Sequence, residues 1–210
     1  MYNGLTIYGS SLSANFRKVE AVCQYLELKY EHIEVDVYKG EGASASYGSI
    51  NALGQIPSMQ YDVYTLTESN AIVKFLCQKF ANFKLYSSDV WKQAIIDKWL
   101  FWESGQWQPI LSDIMAKQVG SYVFELESAN QTTNWDDERV LRQLCYLENS
   151  FENKWLCGDT LTIADFSVAA MTTYFNATGF PEHLYPNISK WLARLNNTIA
   201  WQRTIHKLWS

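Results

Sequence analysis

Hydrophobic positions along the chain follow two periods before residue 82 and only one after it. Leu5-Thr6-Ile7-Tyr8 is a short β-rich run that stops at Gly9 and a serine cluster, which predicts a strand. From Ala14 to Tyr30 the apolar residues Phe16, Val19, Val22, Cys23, Leu26 and Tyr30 recur at helical spacing. His32 to Val37 alternates apolar with charged residues, the period of a strand with one solvated face. Residues 40–54 are rich in Gly and Ser with little periodicity, so a loop with a short helix is expected. Residues 57–60 and 63–66 are two β runs split by Tyr61-Asp62, a hairpin signal. A second helix opens at Glu68 and continues through Ile72, Phe75, Leu76 and Phe80.

The order is therefore β-α-β followed by β-β-α. A parallel crossover plus an antiparallel hairpin closes most simply as a four-stranded mixed sheet with helices on its faces. Beyond residue 82 the pattern is helical throughout. Segments are expected at 88–118, with a kink at Pro109, and at 135–155, 162–178, 188–196 and 198–208. The chain thus reads as an α/β domain over 1–82, a linker over 83–87, and an all-helical domain over 88–210.

Composition narrows what such a chain can do. With 210 residues, 48% of them hydrophobic and a net charge of −5, it can bury a core and is not disordered. The acidic balance, spread evenly, argues against nucleic-acid and anionic-membrane partners. The opening Met1-Tyr2-Asn3-Gly4-Leu5 lacks a basic region leading into an apolar run, and no stretch is long enough to span a bilayer. A cytoplasmic location is the resulting expectation. Cys23, Cys77, Cys145 and Cys157 are widely spaced without His at ligand distance, so they are expected as reduced thiols, and no metal is expected. The unusual quantity is the aromatic content, 15%, including nine Trp. Aromatic residues either fill cores or line apolar pockets, and composition does not choose between these uses.

Three local patterns carry candidate chemistry. Tyr8 to Val19 (YGSSLSANFRKV) sets hydroxyls in a strand-to-helix turn, where free amides and the helix dipole favour an anion. The plainer reading is that Ser13 caps the helix. Gly54-Gln55-Ile56-Pro57-Ser58-Met59 starts a strand with a proline, which suits an edge. An ordinary trans bond is the plain reading there. Leu66-Thr67-Glu68-Ser69-Asn70 places a carboxylate and a hydroxyl at a strand-to-helix junction. That pair can hold an α-amino-acid group or simply start a helix.

Taken together and in this order, the three patterns resemble the cytosolic glutathione transferase superfamily, in its serine-type form. The resemblance extends through Gly158 to Asp165 (GDTLTIAD). There Thr162 and Asp165 have the S/T-x-x-D spacing of a reciprocal helix cap. It continues through the final segment around Trp201. It implies a thioredoxin-like first domain that binds glutathione and a helical domain that supplies the electrophile pocket. By this resemblance Ser13 activates the glutathione thiol, with Ser11, Ser10 and Tyr8 as alternatives. Ile56 pairs with the cysteinyl portion ahead of a cis Pro57, and Gln55, Glu68 and Ser69 complete the glutathione site.

The implied reaction is conjugation of the thiolate to a hydrophobic electrophile, with glutathione as co-substrate. A homodimer is implied as well. Trp102, Trp107, Leu111 and Met115 are the candidates for the electrophile pocket. Trp91, Trp99, Trp135, Trp155, Trp191 and Trp201 are expected as helical core. The chain departs from the pattern at Gly42-Ala43, where many relatives carry a basic residue for the glycyl carboxylate; Lys39 is the candidate substitute. The alternative reading is a non-catalytic interaction module on the same fold.

Overall fold

The computed structural model describes residues 4–81, 83–125 and 132–209. The opening residues Met1 to Asn3, on which the absence of an export signal partly rested, lie outside the described residues. So does Asn82, the last residue of the expected first domain.

Four strands, β1 (Leu5–Gly9), β2 (Glu31–Glu34), β3 (Ser58–Tyr61) and β4 (Tyr64–Thr67), form one sheet in the order β2-β1-β3-β4. β1 and β2 are parallel, with Thr6 opposite Glu31, whereas β3 runs antiparallel to both β1 and β4. This is the mixed sheet that the β-α-β and β-β-α order implies. Between β1 and β2 lies α1 (Ala14–Tyr25). Short 3-10 turns and α2 (Ala45–Gly48) fill the loop before β3, and α3 (Ser69–Phe80) follows β4.

Two elements stop sooner than their periodicity suggests. α1 ends at Tyr25 because Glu27 turns to positive φ and the Leu28 amide donates back to the Cys23 carbonyl at 2.9 Å. β2 ends at Glu34 because the Asp36 carboxylate accepts from the amides of Tyr38 and Lys39 and starts a 3-10 turn.

The remainder is helical: α4 (Val90–Trp102), α5 (Gln108–Val123), α6 (Glu138–Glu148), α7 (Ile163–Ala169), α8 (Phe175–Thr178), α9 (Pro186–Asn196) and α10 (Ile199–Gln202). α4 and α5 are joined by a π-helical segment, Glu103–Trp107. The kink expected at Pro109 takes this form. Proline offers no amide to the preceding turn, and the Gln108 amide reaches the Glu103 carbonyl instead. The expected 162–178 helix is interrupted by a 3-10 stretch, Ala170–Tyr174, and regular helix near the end covers only Ile199–Gln202.

α1, α3 and α7 pack together, and one apolar core runs from Leu5 and Phe16 through Trp99 and Trp107 to Trp191. At the start of α7 the fully buried Asp165 carboxylate accepts from the amides of Leu156 and Thr162, the Thr162 hydroxyl and the Trp191 indole, at 2.9–3.1 Å. Burial raises its pKa while these four donors oppose the rise. Trp99, Trp135, Trp191 and Trp201 are core as expected, and Trp155 is half-buried. Trp91 is not core. It is 74% exposed, because it stands in the first turn of α4 on the face turned to solvent.

Candidate active site

The turn after β1 brings Ser13 to the N-terminus of α1, where its Oγ accepts from the Phe16 amide at 3.3 Å. Capping consumes a lone pair and leaves the hydroxyl proton free. No acceptor among the described residues takes it. A serine can therefore cap its helix and donate to a ligand at once.

Ser13 lines two adjoining cavities. The first, about 350 Å³, is polar and contains Gln55, Ile56, Pro57, Glu68 and Ser69, which the resemblance assigns to glutathione, but not Lys39. The second, about 340 Å³, is walled by Met115, Val119, Phe124, Tyr38, Met171 and Tyr174. Asn15 and Gln108 stand with Ser13 at the junction of the two.

The other candidate hydroxyls lie elsewhere. Ser10 is buried and accepts from the Leu12 amide, and neither it nor Ser11 lines either cavity. Tyr8 donates to Gln60 Oε1 at 2.6 Å and faces a separate hollow beside Ile33 and Tyr47.

Backbone geometry prepares the polar cavity for an extended ligand. The Ile56-Pro57 bond is cis. The Gln55 carbonyl is held from two sides, by the Tyr47 hydroxyl and the Asn51 amide, both at 2.7 Å. Neither the N–H nor the C=O of Ile56 has a partner among the described residues, so both can pair with a peptide laid alongside. Opposite, Glu68 adopts φ 68°, ψ 109°, a conformation that costs a non-glycine residue about 1–3 kcal/mol. The strain sets its exposed carboxylate at the mouth while Ser69 begins α3.

Behind the polar cavity lies an ion pair with no solvent exposure. Lys18 Nζ is 2.9 Å from Glu103 Oε1 and donates to Asn70 Oδ1 at 3.2 Å, while Asn70 Nδ2 donates to Glu103 Oε2 at 2.8 Å. Burial lowers the Lys18 pKa and Glu103 opposes the shift. The triad ties α1 and α3 to the π segment, and Asn70 itself lines the cavity.

A second tie flanks Ser13. The Tyr174 hydroxyl accepts from the Ala14 amide at 2.9 Å and donates to the Leu12 carbonyl at 3.0 Å, so it grips the residues on either side. Burial raises its pKa, which keeps the phenol protonated and donating.

The basic contact expected from Lys39 is where expectation and structure differ. Among the described residues no Lys, Arg or His lines the polar cavity. Lys39 is turned to Asp36, 3.0 Å away, and is not part of the wall. The glycine at 42 has a packing reason: a Cβ there would stand 2.3 Å from the Gly54 carbonyl oxygen. Among the described residues no group of three or more His, Cys, Asp or Glu could hold a metal ion.

The nominated pocket aromatics also need correction. Trp107 is fully buried and donates to the Val168 carbonyl, Trp102 donates to Gln143, and Leu111 is core. Of the four, only Met115 lines the apolar cavity. Trp107 and Leu111 are turned into the core, whereas the cavity is walled by another face of α5 that carries Gln108, Ser112, Met115 and Val119.

Residues 7–84 match the family model "Glutathione S-transferase, N-terminal domain", and residues 110–198 match "Glutathione S-transferase, C-terminal domain". The chain is 30% identical over 191 residues to a probable glutathione S-transferase GSTF2 of Oryza sativa subsp. japonica, covering 89% of each chain. The chain belongs to the glutathione S-transferase family. Glutathione S-transferase 1 of Manduca sexta is 26% identical over 205 residues, 95% of this chain and 91% of its own. Among solved structures, glutathione transferase F2 of Populus trichocarpa superposes with a TM-score of 0.85 at 24% identity, over 96% of this chain and 97% of its own. A glutathione S-transferase-I bound with lactoylglutathione superposes with a TM-score of 0.81 at 24% identity, over 96% and 98%. These likenesses establish the thioredoxin-like sheet followed by a helical domain. No helix among the described residues is long and apolar enough to cross a membrane.

Proposed function

We propose that this glutathione transferase binds glutathione in the polar cavity and ionises its thiol against the Ser13 hydroxyl. The thiolate then attacks a hydrophobic electrophile held in the adjoining apolar cavity. The observation that carries the reading is that Ser13 lines both cavities, the only candidate hydroxyl that does so. The glutathione cysteinyl backbone would pair with Ile56, and the γ-glutamyl group would meet Ser69 through its carboxylate and Glu68 through its ammonium. Bound in this way, the ligand would have its sulfur at the N-terminus of α1.

The Ser13 O–H would donate to the sulfur, and the helix dipole would favour the negative charge. A hydrogen bond to a charged acceptor contributes about 1.5–3 kcal/mol, enough to lower a thiol pKa by roughly one to two units. Attack on the electrophile forms the C–S bond and expels the leaving group, with proximity contributing much of the rate. In this reading residues 1–82 supply the glutathione site and 88–210 the electrophile wall. Ser13→Ala should retain binding to immobilised glutathione and lose at least tenfold in turnover of a chlorodinitrobenzene-type electrophile. Equal turnover would remove Ser13 from the mechanism. Neither binding nor turnover in the unmodified chain would leave a non-catalytic interaction module.

A homodimer belongs to the same proposal. Leu53, Trp91 and Phe101 are 73–75% exposed, apolar side chains whose burial against a second copy would be favourable.

A further inference from the structure

Two carboxamides at the junction of the cavities take no part in the Ser13 mechanism. Asn15, in the first turn of α1, and Gln108, the first residue of α5, are half-buried and line both cavities. Asn15 Oδ1 accepts from the Ser69 hydroxyl at 3.4 Å, which turns its oxygen toward the polar side. Among the described residues nothing accepts from Asn15 Nδ2, and the Gln108 side chain makes no hydrogen bond. Each carboxamide therefore has N–H donors to spare where sulfur and electrophile would meet.

The position of Gln108 is built. It directly follows the π-helical segment Glu103–Trp107, and its backbone amide donates to the Glu103 carbonyl. The Glu103 carboxylate, itself without solvent exposure, is held by Lys18 and Asn70. A π-helical turn accommodates one extra residue, advancing every later side chain by about 100° around the axis, and such turns recur at functional sites. No charged residue among those described lines the apolar cavity, whose walls include Met115, Val119, Phe124 and Met171. Neutral donors fixed at one end of such a pocket suit an oxygen that becomes negative during reaction, because they are in place before the charge develops.

We propose that the Gln108 carboxamide receives the electrophile's oxygen, and that the preferred electrophiles are conjugated enals and enones. The inference rests on the Ser13 reading and names its electrophile class. The glutathione thiolate attacks the β-carbon and forms the C–S bond. The C=C electron pair shifts toward the carbonyl, whose oxygen becomes negative while it accepts from the Gln108 N–H. The enolate then takes a proton at its α-carbon from water; no group leaves and nothing is oxidised. Displacement on a benzyl or alkyl halide instead sends the charge out with the halide and offers Gln108 no oxygen.

Turnover of trans-4-phenylbut-3-en-2-one and of benzyl chloride by the full chain, with glutathione saturating, tests this. Gln108→Met keeps the length of the side chain and removes its donors. In that variant the ratio of kcat/KM for the enone over that for the chloride should fall tenfold or more. The urea midpoint should stay unchanged, since the Gln108 side chain holds no bond among the described residues. An unaltered ratio, with both electrophiles slowed alike, would assign the carboxamide to the sulfur or to packing and overturn the proposal. Turnover of benzyl chloride but not of the enone by the unmodified protein would sink this inference alone, and turnover of neither would remove the Ser13 reading with it.

Discussion

At the scale of single residues, one atom has room for two purposes. Ser13 Oγ accepts from the Phe16 amide and its proton has no acceptor among the described residues, so the capping and proposed activating readings of this serine are compatible. Gly42 is the opposite case, a residue whose identity is set by what it must not carry. Its Cβ would meet the Gly54 oxygen at 2.3 Å, and a Cβ on Gly54 would meet the Gly42 oxygen at 2.7 Å. Gly42→Ala should destabilise the protein by about 1–3 kcal/mol through overpacking, measured as a lower urea midpoint with an unchanged slope. An unchanged midpoint would mean that the loop yields freely. The nomination of Ser13, Ile56, Glu68 and Ser69 was legible because each sits at an element boundary, where turn and cap chemistry leaves a local mark. Asn15, Gln108, Tyr38 and Tyr174 carry no such mark. They join the site only through folding, and a polar or aromatic residue within a helix looks the same whether it faces a cavity or the core.

At the scale of elements, the site is held by helices that arrive from far along the chain. Tyr174, 160 residues from Ala14, grips the amide after Ser13 and the carbonyl before it. Tyr174→Phe removes both bonds with little change in shape. It should lower kcat about tenfold, the loss of about one buried hydrogen bond, and raise the bound thiol pKa while KM for glutathione holds. A fall in stability with an unshifted pH profile would assign Tyr174 a structural role alone. The Lys18–Glu103 pair links α1 to the π segment with no exposure on either side. Glu103→Gln leaves a buried ammonium uncompensated and should cost about 3–5 kcal/mol by chemical denaturation. A change below 1 kcal/mol would show that water or another group takes over. Sequence period predicted the strands, their order and most helices. It missed where α1 and β2 stop, because the positive φ of Glu27 and the turn capped by the Asp36 carboxylate are local features that leave periodicity unchanged.

At the scale of the whole molecule, the aromatic load divides by location. Most tryptophans fill the core that runs through both halves of the chain, and the apolar cavity uses Tyr38, Phe124 and Tyr174 instead. Trp91 and Phe101 remain outward on α4, with Leu53 outward on the loop before β3. If these cover one another in a dimer, light scattering at micromolar concentration gives twice the chain mass and Phe101→Asp shifts it toward the monomer. A monomeric unmodified chain would contradict that assembly. If glutathione lies in the polar cavity as proposed, no Lys, Arg or His among the described lining residues meets its glycyl carboxylate, a contact of about 1.5–3 kcal/mol, so weak glutathione affinity is expected.

The central claim is that Ser13 stabilises a thiolate, and the absorbance of the bound thiolate across pH tests it most directly. With glutathione saturating, the unmodified protein should titrate at least one unit below the free thiol's roughly 8.5, and Ser13→Ala should return toward that value. Identical titrations in the two proteins would contradict the account.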